Sequence, residues 1–198
     1  MKLEDYRTLF IALGLIGTFV LLIPAIVLVL PLPGGESFSE LWILGPGHMA
    51  EDYPFNVKAG EQYSIYLGIG NNIGSSTYYV ARVKFRNATE SSPNATSGTA
   101  SSLPILYEKR VFLQDGATWE MLLSFAFNNV TISDGICWVD NLIVNNVGAK
   151  VDKLAYWNAQ DNGYFFSLFI ELYVYRTGSD SLEYDNRFVG IWLNMTGV

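Results

Sequence analysis

Four asparagines stand at the head of N-x-T triplets, at Asn87, Asn94, Asn129 and Asn194, and each side-chain amide is a candidate acceptor for an N-linked glycan. That chemistry belongs on the outer side of a membrane, so the triplets speak to topology as well as to modification. Other reactive groups are sparse. His48 is the only histidine, set in the loop string Gly45, Pro46, Gly47, His48, Met49, which excludes HExxH zinc sites and multi-histidine clusters. A Ser-His-Asp triad would have to use it, and a satisfied loop histidine is the simpler reading. Cys137 is the only cysteine and lies among Ile136, Trp138 and Val139, so no internal disulfide or redox pair forms and a buried, inert thiol is expected. Gly68, Gly70 and Gly74 give a spacing that misses both the dinucleotide fingerprint and the phosphate loop.

Carboxylates are the remaining route to catalysis. Asp161, Glu171, Glu183 and Asp185 occur near aromatics, and a glycosidase would need two of them about 5–9 Å apart, which spacing alone does not supply. Glu171, inside Phe169-Ile-Glu-Leu-Tyr173, is either on a solvated strand face or a buried acid paired with a base such as Arg187; the pair is preferred, as a structural lock. Arg82, Lys84 and Arg86 alternate along one segment and read as a solvated strand face rather than an anion site. Aromatics make up 15% of the chain, and Tyr156 with Trp157 precede a polar turn, Asn158 to Gly163, where a platform for an external glycan could be built. No catalytic, metal or cofactor-binding residue is assigned, and the chain is expected not to be an enzyme.

The elements that must hold these residues begin with Leu9 to Leu30, an apolar run without a single charge. As a helix it spans roughly 33 Å, close to a bilayer's hydrocarbon thickness, so a membrane span is preferred over a cleaved signal or a buried core helix. Lys2 and Arg7 precede the run while Glu36, Glu40 and Glu51 follow it, which keeps the N-terminus cytoplasmic and puts the rest outside, at the plasma membrane. The expected organisation is a tail (1–8), a transmembrane helix (9–30), a juxtamembrane linker (31–44) and an exterior domain (45–198). In the linker, Phe38, Leu41, Trp42, Ile43 and Leu44 form an apolar stretch expected to rest on lipid, on the domain's own base or on another membrane subunit, with the partner subunit preferred. A net charge of −7 argues against nucleic acid as a partner.

From Phe55 onward the hydrophobic period is two. Tyr63, Ile65, Leu67 and Ile69 alternate with Ser64, Tyr66, Gly68 and Gly70, and Tyr79, Ala81, Val83 and Phe85 do so after a turn, which predicts a hairpin. A second hairpin is expected around Asp115-Gly116, between Tyr107–Gln114 and Thr118–Phe127, and a third around Asn145-Asn146. Gly163–Arg176 and Tyr184–Met195 complete about eight strands. The segment 87–104, rich in Ser, Thr, Pro and Gly, is expected to be an exposed, glycan-bearing loop. The fold class that follows is all-β, an Ig-like antiparallel β-sandwich behind one N-terminal transmembrane helix.

The strings PLPGGESFSELWILGPGHMAEDYPFNV, AGEQYSIYLGIGNNIGSSTYYVARVKFRN, GYFFSLFIELYVY and DNRFVGIWLNMTG resemble a family of archaeal membrane proteins defined by a domain of unknown function, DUF1616, over nearly the whole chain. Residues Ala59 to Phe85 are more weakly similar to NEW3-type Ig-like modules of extracellular sugar-processing proteins. The resemblance implies an extracytoplasmic Ig-like domain tied to an archaeal membrane and carries over no catalytic residue. Many relatives have several membrane spans where this chain has one. The expected function is a non-catalytic, membrane-anchored, N-glycosylated cell-surface subunit that assembles with other membrane or envelope proteins, as a homo- or hetero-oligomer. The alternatives are an extracellular glycan-binding module and a pilin-like filament subunit, the last opposed by Pro24 and the Pro31–Gly35 break.

Overall fold

The computed structural model describes residues 3–29 and 37–197 and divides into two units, one N-terminal and helical, the other running from Phe38 onward. Helix α1 (Leu3–Val29) continues through Pro24, and Thr18 Oγ1 donates back to the Gly14 carbonyl at 2.8 Å. Side chains are described at Tyr6, Arg7 and 9–23, where every residue is exposed. Among the described residues no helix is long and apolar enough to cross a membrane.

The second unit is a β-sandwich of ten strands: β1 (Phe38–Leu44), β2 (Asn56–Lys58), β3 (Gln62–Asn72), β4 (Thr77–Asn87), β5 (Tyr107–Leu113), β6 (Thr118–Ser133), β7 (Ile136–Val144), β8 (Val147–Tyr156), β9 (Phe165–Arg176) and β10 (Ser181–Gly197). One sheet has the order β1-β3-β6-β7-β8 and the other β2-β10-β9-β4-β5. All neighbours are antiparallel except β2 and β10. The inward positions follow the alternation: Ile65, Leu67 and Ile69 from β3 and Leu123, Phe125 and Phe127 from β6 face Tyr79, Ala81, Val83 and Phe85 from β4 and Phe166, Leu168 and Ile170 from β9. Phe85 joins the layers, stacked on Phe166 at 5.3 Å and tilted against Phe127 at 5.7 Å.

Two expected hairpins are something else. β3 and β4 lie in different sheets, as do β5 and β6, so the turns at 73–76 and 114–117 carry the chain across the sandwich. Buried Asn71 ties these two crossings together: its Nδ2 donates to the Ser75 and Leu113 carbonyls, its backbone N–H to Ala117, and its Oδ1 accepts from Tyr79 Oη. The hairpins are β6–β7, β7–β8 and β9–β10. Asp134-Gly135 and Asn145-Asn146 both take the paired positive φ of a two-residue hairpin turn.

The expected linker is a strand from Phe38 onward. β1 forms an edge of the first sheet, and Leu41 and Ile43 pack on the core, the domain's own base among the three expected settings. The ring of Trp42 lies over Gly68, where a Cβ would collide with the indole, which explains the glycine in β3. Residues 31–36 of that segment lie outside the described residues.

Candidate functional site

The outward face of the second sheet is not solvated at its centre, on β4 and β9. On β4 and β9 the residues between the core positions are also buried: Val80, Lys84, Ser167, Phe169, Glu171 and Tyr173. The segment 88–106 runs across this face as a strap: most of it is exposed, as expected for 87–104, but Ser101 reaches down to Lys84 and Glu171 and Leu106 is buried. Lys84 and Glu171 make an ion pair of 2.9 Å with side chains 4% and 0% exposed, so the predicted lock exists but its base is Lys84, not Arg187. Both charges also grip the strap at one residue: the Ser101 N–H donates to Glu171 Oε1 at 2.6 Å, and Lys84 Nζ donates to the Ser101 carbonyl at 2.5 Å. Tyr173 Oη donates to the remaining carboxylate oxygen at 3.1 Å. Thus opposite charges on neighbouring strands, each needing more partners than the other provides, recruit a backbone N–H and a backbone carbonyl. Beside them Tyr184 Oη is buried with no hydrogen-bond partner among the described residues, and burial pushes its pKa up to about 12. Arg82 is also occupied, stacked over the Tyr173 ring at 4.1 Å and paired with Glu108 at 3.0 Å.

At one end of this strap, where β4 stops and β8 and β9 come close, there is a recess of about 130 Å³. It is lined by Asn87, Ala88 and Thr89, which are the first glycosylation triplet, and by Leu154, Ala155, Tyr156, Asn158 and Phe165. Asn87 is held from two directions. Its Oδ1 accepts from the Thr89 and Glu90 N–H groups and from Thr89 Oγ1, while its Nδ2 donates to the Leu154 carbonyl at 3.0 Å.

The other three triplets occupy different settings. Asn94 is exposed near the tip of the strap, its Oδ1 accepting from the Thr96 and Ser97 N–H groups. Asn129 is exposed in the middle of β6 with a positive φ of 53°. Asn194 is buried: Oδ1 accepts from the Tyr164 N–H at 3.0 Å, Nδ2 donates to Asn56 Oδ1 at 3.2 Å, and Gly163 packs so close that a Cβ there would stand 2.8 Å from Nδ2.

Tyr156 is 65% exposed and borders the recess, and Trp157, 48% exposed, meets Tyr164 edge-on at 5.0 Å. Three of the carboxylates considered for catalysis are engaged in hydrogen bonds or ion pairs with other side chains. Asp161 accepts from Asn158 Nδ2, Glu183 from Ser179 Oγ, and Asp185 from Ser39 Oγ and Arg176. His48 Nε2 lies 2.5 Å from Glu120 Oε1 and its ring sits on Tyr66, centroids 3.9 Å apart. Cys137 is buried as expected, and desolvation pushes its pKa up to about 12. Among the described residues no group of three or more His, Cys, Asp or Glu could hold a metal.

Residues 32–132, half of the chain, match the domain of unknown function DUF1616. The chain belongs to the DUF1616 family. The match takes in β1 to β6, with the strap, Asn87 and Asn94, and it is narrower than the nearly full-length resemblance read from the sequence. No curated protein matches the chain. Among solved structures it is similar to a β-glucosidase from Listeria innocua, at 12% identity and a TM-score of 0.43, covering 82% of this chain and 16% of that one. It is also similar to β-glucuronidase 2 of Bacteroides uniformis, at 9% identity and a TM-score of 0.36, covering 78% of this chain and 13% of the other. Each likeness therefore concerns a small part of a much larger enzyme.

Proposed function

We propose that this DUF1616 chain is a non-catalytic cell-surface subunit, anchored by α1 in an archaeal plasma membrane, N-glycosylated on its exterior β-sandwich, and assembled with other membrane or envelope proteins. The observation that carries this reading is the apolar surface of α1. From Leu9 to Ile23 its large apolar side chains are 48% to 78% exposed. Leaving such a surface in water costs about 25 cal/mol per Å², so lipid or protein must cover it. The uncharged run to Leu30 and the basic residues before it favour lipid, with the N-terminus inside. Assembly is supported by β1, which lies at the edge of its sheet with β3 as its one sheet neighbour among the described residues and with exposed Phe38 at its start.

Protease added to intact cells is expected to digest the chain after Gly35 and to spare a tag placed before Leu9; protection of the whole sandwich without a shielding layer rejects this topology. In mild detergent the native protein should co-purify with a partner. Migration as a lone glycosylated monomer rejects assembly and favours the second reading, an external glycan binder, which rests on Tyr156 at the recess and is tested by a glycan array.

A further inference from the structure

We propose that Asn87 carries a glycan whose first sugar is seated in the recess beside it, with Tyr156 as its stacking wall. This rests on the exterior placement of the sandwich proposed above. A primary amide nitrogen has two hydrogens, and Asn87 Nδ2 spends one on the Leu154 carbonyl. The other is the one that modification replaces. Nδ2 forms a bond to the anomeric carbon of a glycosyl donor of the lipid-linked phosphate class, the phosphate leaves with the electrons of the broken C–O bond, and the amide proton passes to a base of the cell's transferase. The bond to Leu154 survives, so attachment requires no rearrangement of β4 against β8.

The recess suits what would then lie in it. The triplet itself forms one side, so a sugar on Nδ2 starts inside the cavity. At about 130 Å³ the space is well below the roughly 300 Å³ of the smallest ordinary ligand pockets, a size for one ring and not for a chain of them. Its walls are the aromatic rings of Tyr156 and Phe165 with Leu154 and Ala155, which match the C–H face of a pyranose. Two of its polar members are already committed: Thr89 Oγ1 donates to Asn87 Oδ1, and Asn158 bonds Gln160 and Asp161. A free sugar would find few hydrogen-bond partners there, whereas a tethered one is held covalently and needs only the stacking surface. None of the other three asparagines borders this recess, and Asn194 has no room for a substituent.

The test is made on the full chain, purified folded in detergent from a host that modifies N-x-T triplets on exported proteins and from one that does not. Glycopeptide mass spectrometry should find Asn87 occupied and Asn194 bare. In the glycosylated protein Thr89→Val, which removes the triplet but keeps Asn87, should lower Tm by about 2–4 °C more than it does in the unglycosylated protein. In a Tyr156→Ala background that excess should vanish. Asn87 bare while Asn94 or Asn129 is modified overturns the proposal, as does an excess that persists without Tyr156. All four asparagines bare in the exporting host overturns the exterior glycoprotein reading itself.

Discussion

Replacing Lys84 by Met would leave the Glu171 carboxylate buried with only the Ser101 N–H and Tyr173 Oη to support its charge. Removing one member of a buried pair typically costs about 3–5 kcal/mol, so Lys84→Met should lower the urea unfolding free energy by that order and loosen the strap, seen as faster hydrogen exchange at the Ser101 amide. A merely surface lysine would move neither. Two other buried groups set an alkaline limit. Cys137 and Tyr184 both have folded pKa values pushed up to about 12 by burial, from ordinary values of 9.0 and 10.0. The unfolded chain therefore loses these protons first, so the stability is fully present below pH 9 and declines as the pH rises towards 12. Urea midpoints measured across that window should fall, and Cys137→Ala should flatten the lower part of the fall.

Edge strand β1 belongs to the sandwich and is the first element after α1 along the chain. Ile43 packs on the core, so Ile43→Ser should destabilise the domain by about 2–4 kcal/mol and would confuse any assay of partner loss. Phe38, 42% exposed at the start of β1, is the cleaner probe: Phe38→Ser should leave the thermal midpoint within a degree or two while weakening co-purification with a partner in detergent. The strap shows the same coupling between elements. Its serines and threonines carry little apolar surface, and what orders it is the pair of charges beneath and the Arg86 guanidinium, which donates to the Glu90 carbonyl at 2.7 Å.

At the scale of the whole chain, the core of the sandwich draws on residues from Leu41 to Met195. A protein beginning at residue 37 should fold alone, with a cooperative thermal transition within about 3 °C of that of the full chain, and should remain in solution without detergent. The full chain should require detergent. A domain that aggregates or melts early once α1 is removed would make the helix part of the fold instead of its tether.

Strands β3 to β10 were legible in sequence because alternation is a local property: each of Tyr63–Ile69, Tyr79–Phe85 and Trp119–Phe127 has to bury every second side chain wherever its neighbours lie. The family was legible for a related reason, since the matched residues include the strings of β1, β3 and β4. The turns told less. Asp115-Gly116 and Asn71 to Ser75 reverse the chain, but only the packing of two sheets decides that both cross between layers, where Asn71 satisfies the two corners at once. Glu171 announced itself by sitting among apolar neighbours, and Lys84, between Val83 and Phe85, carried the same mark; their pairing needed β4 beside β9, a contact between residues 87 positions apart. The four N-x-T triplets are equivalent as sequence. Tertiary structure separates them, because the room around an amide nitrogen is set by whatever distant segment is folded against it: a wall of β8 at Asn87, solvent at Asn94 and Asn129, and the backbone of Gly163 at Asn194.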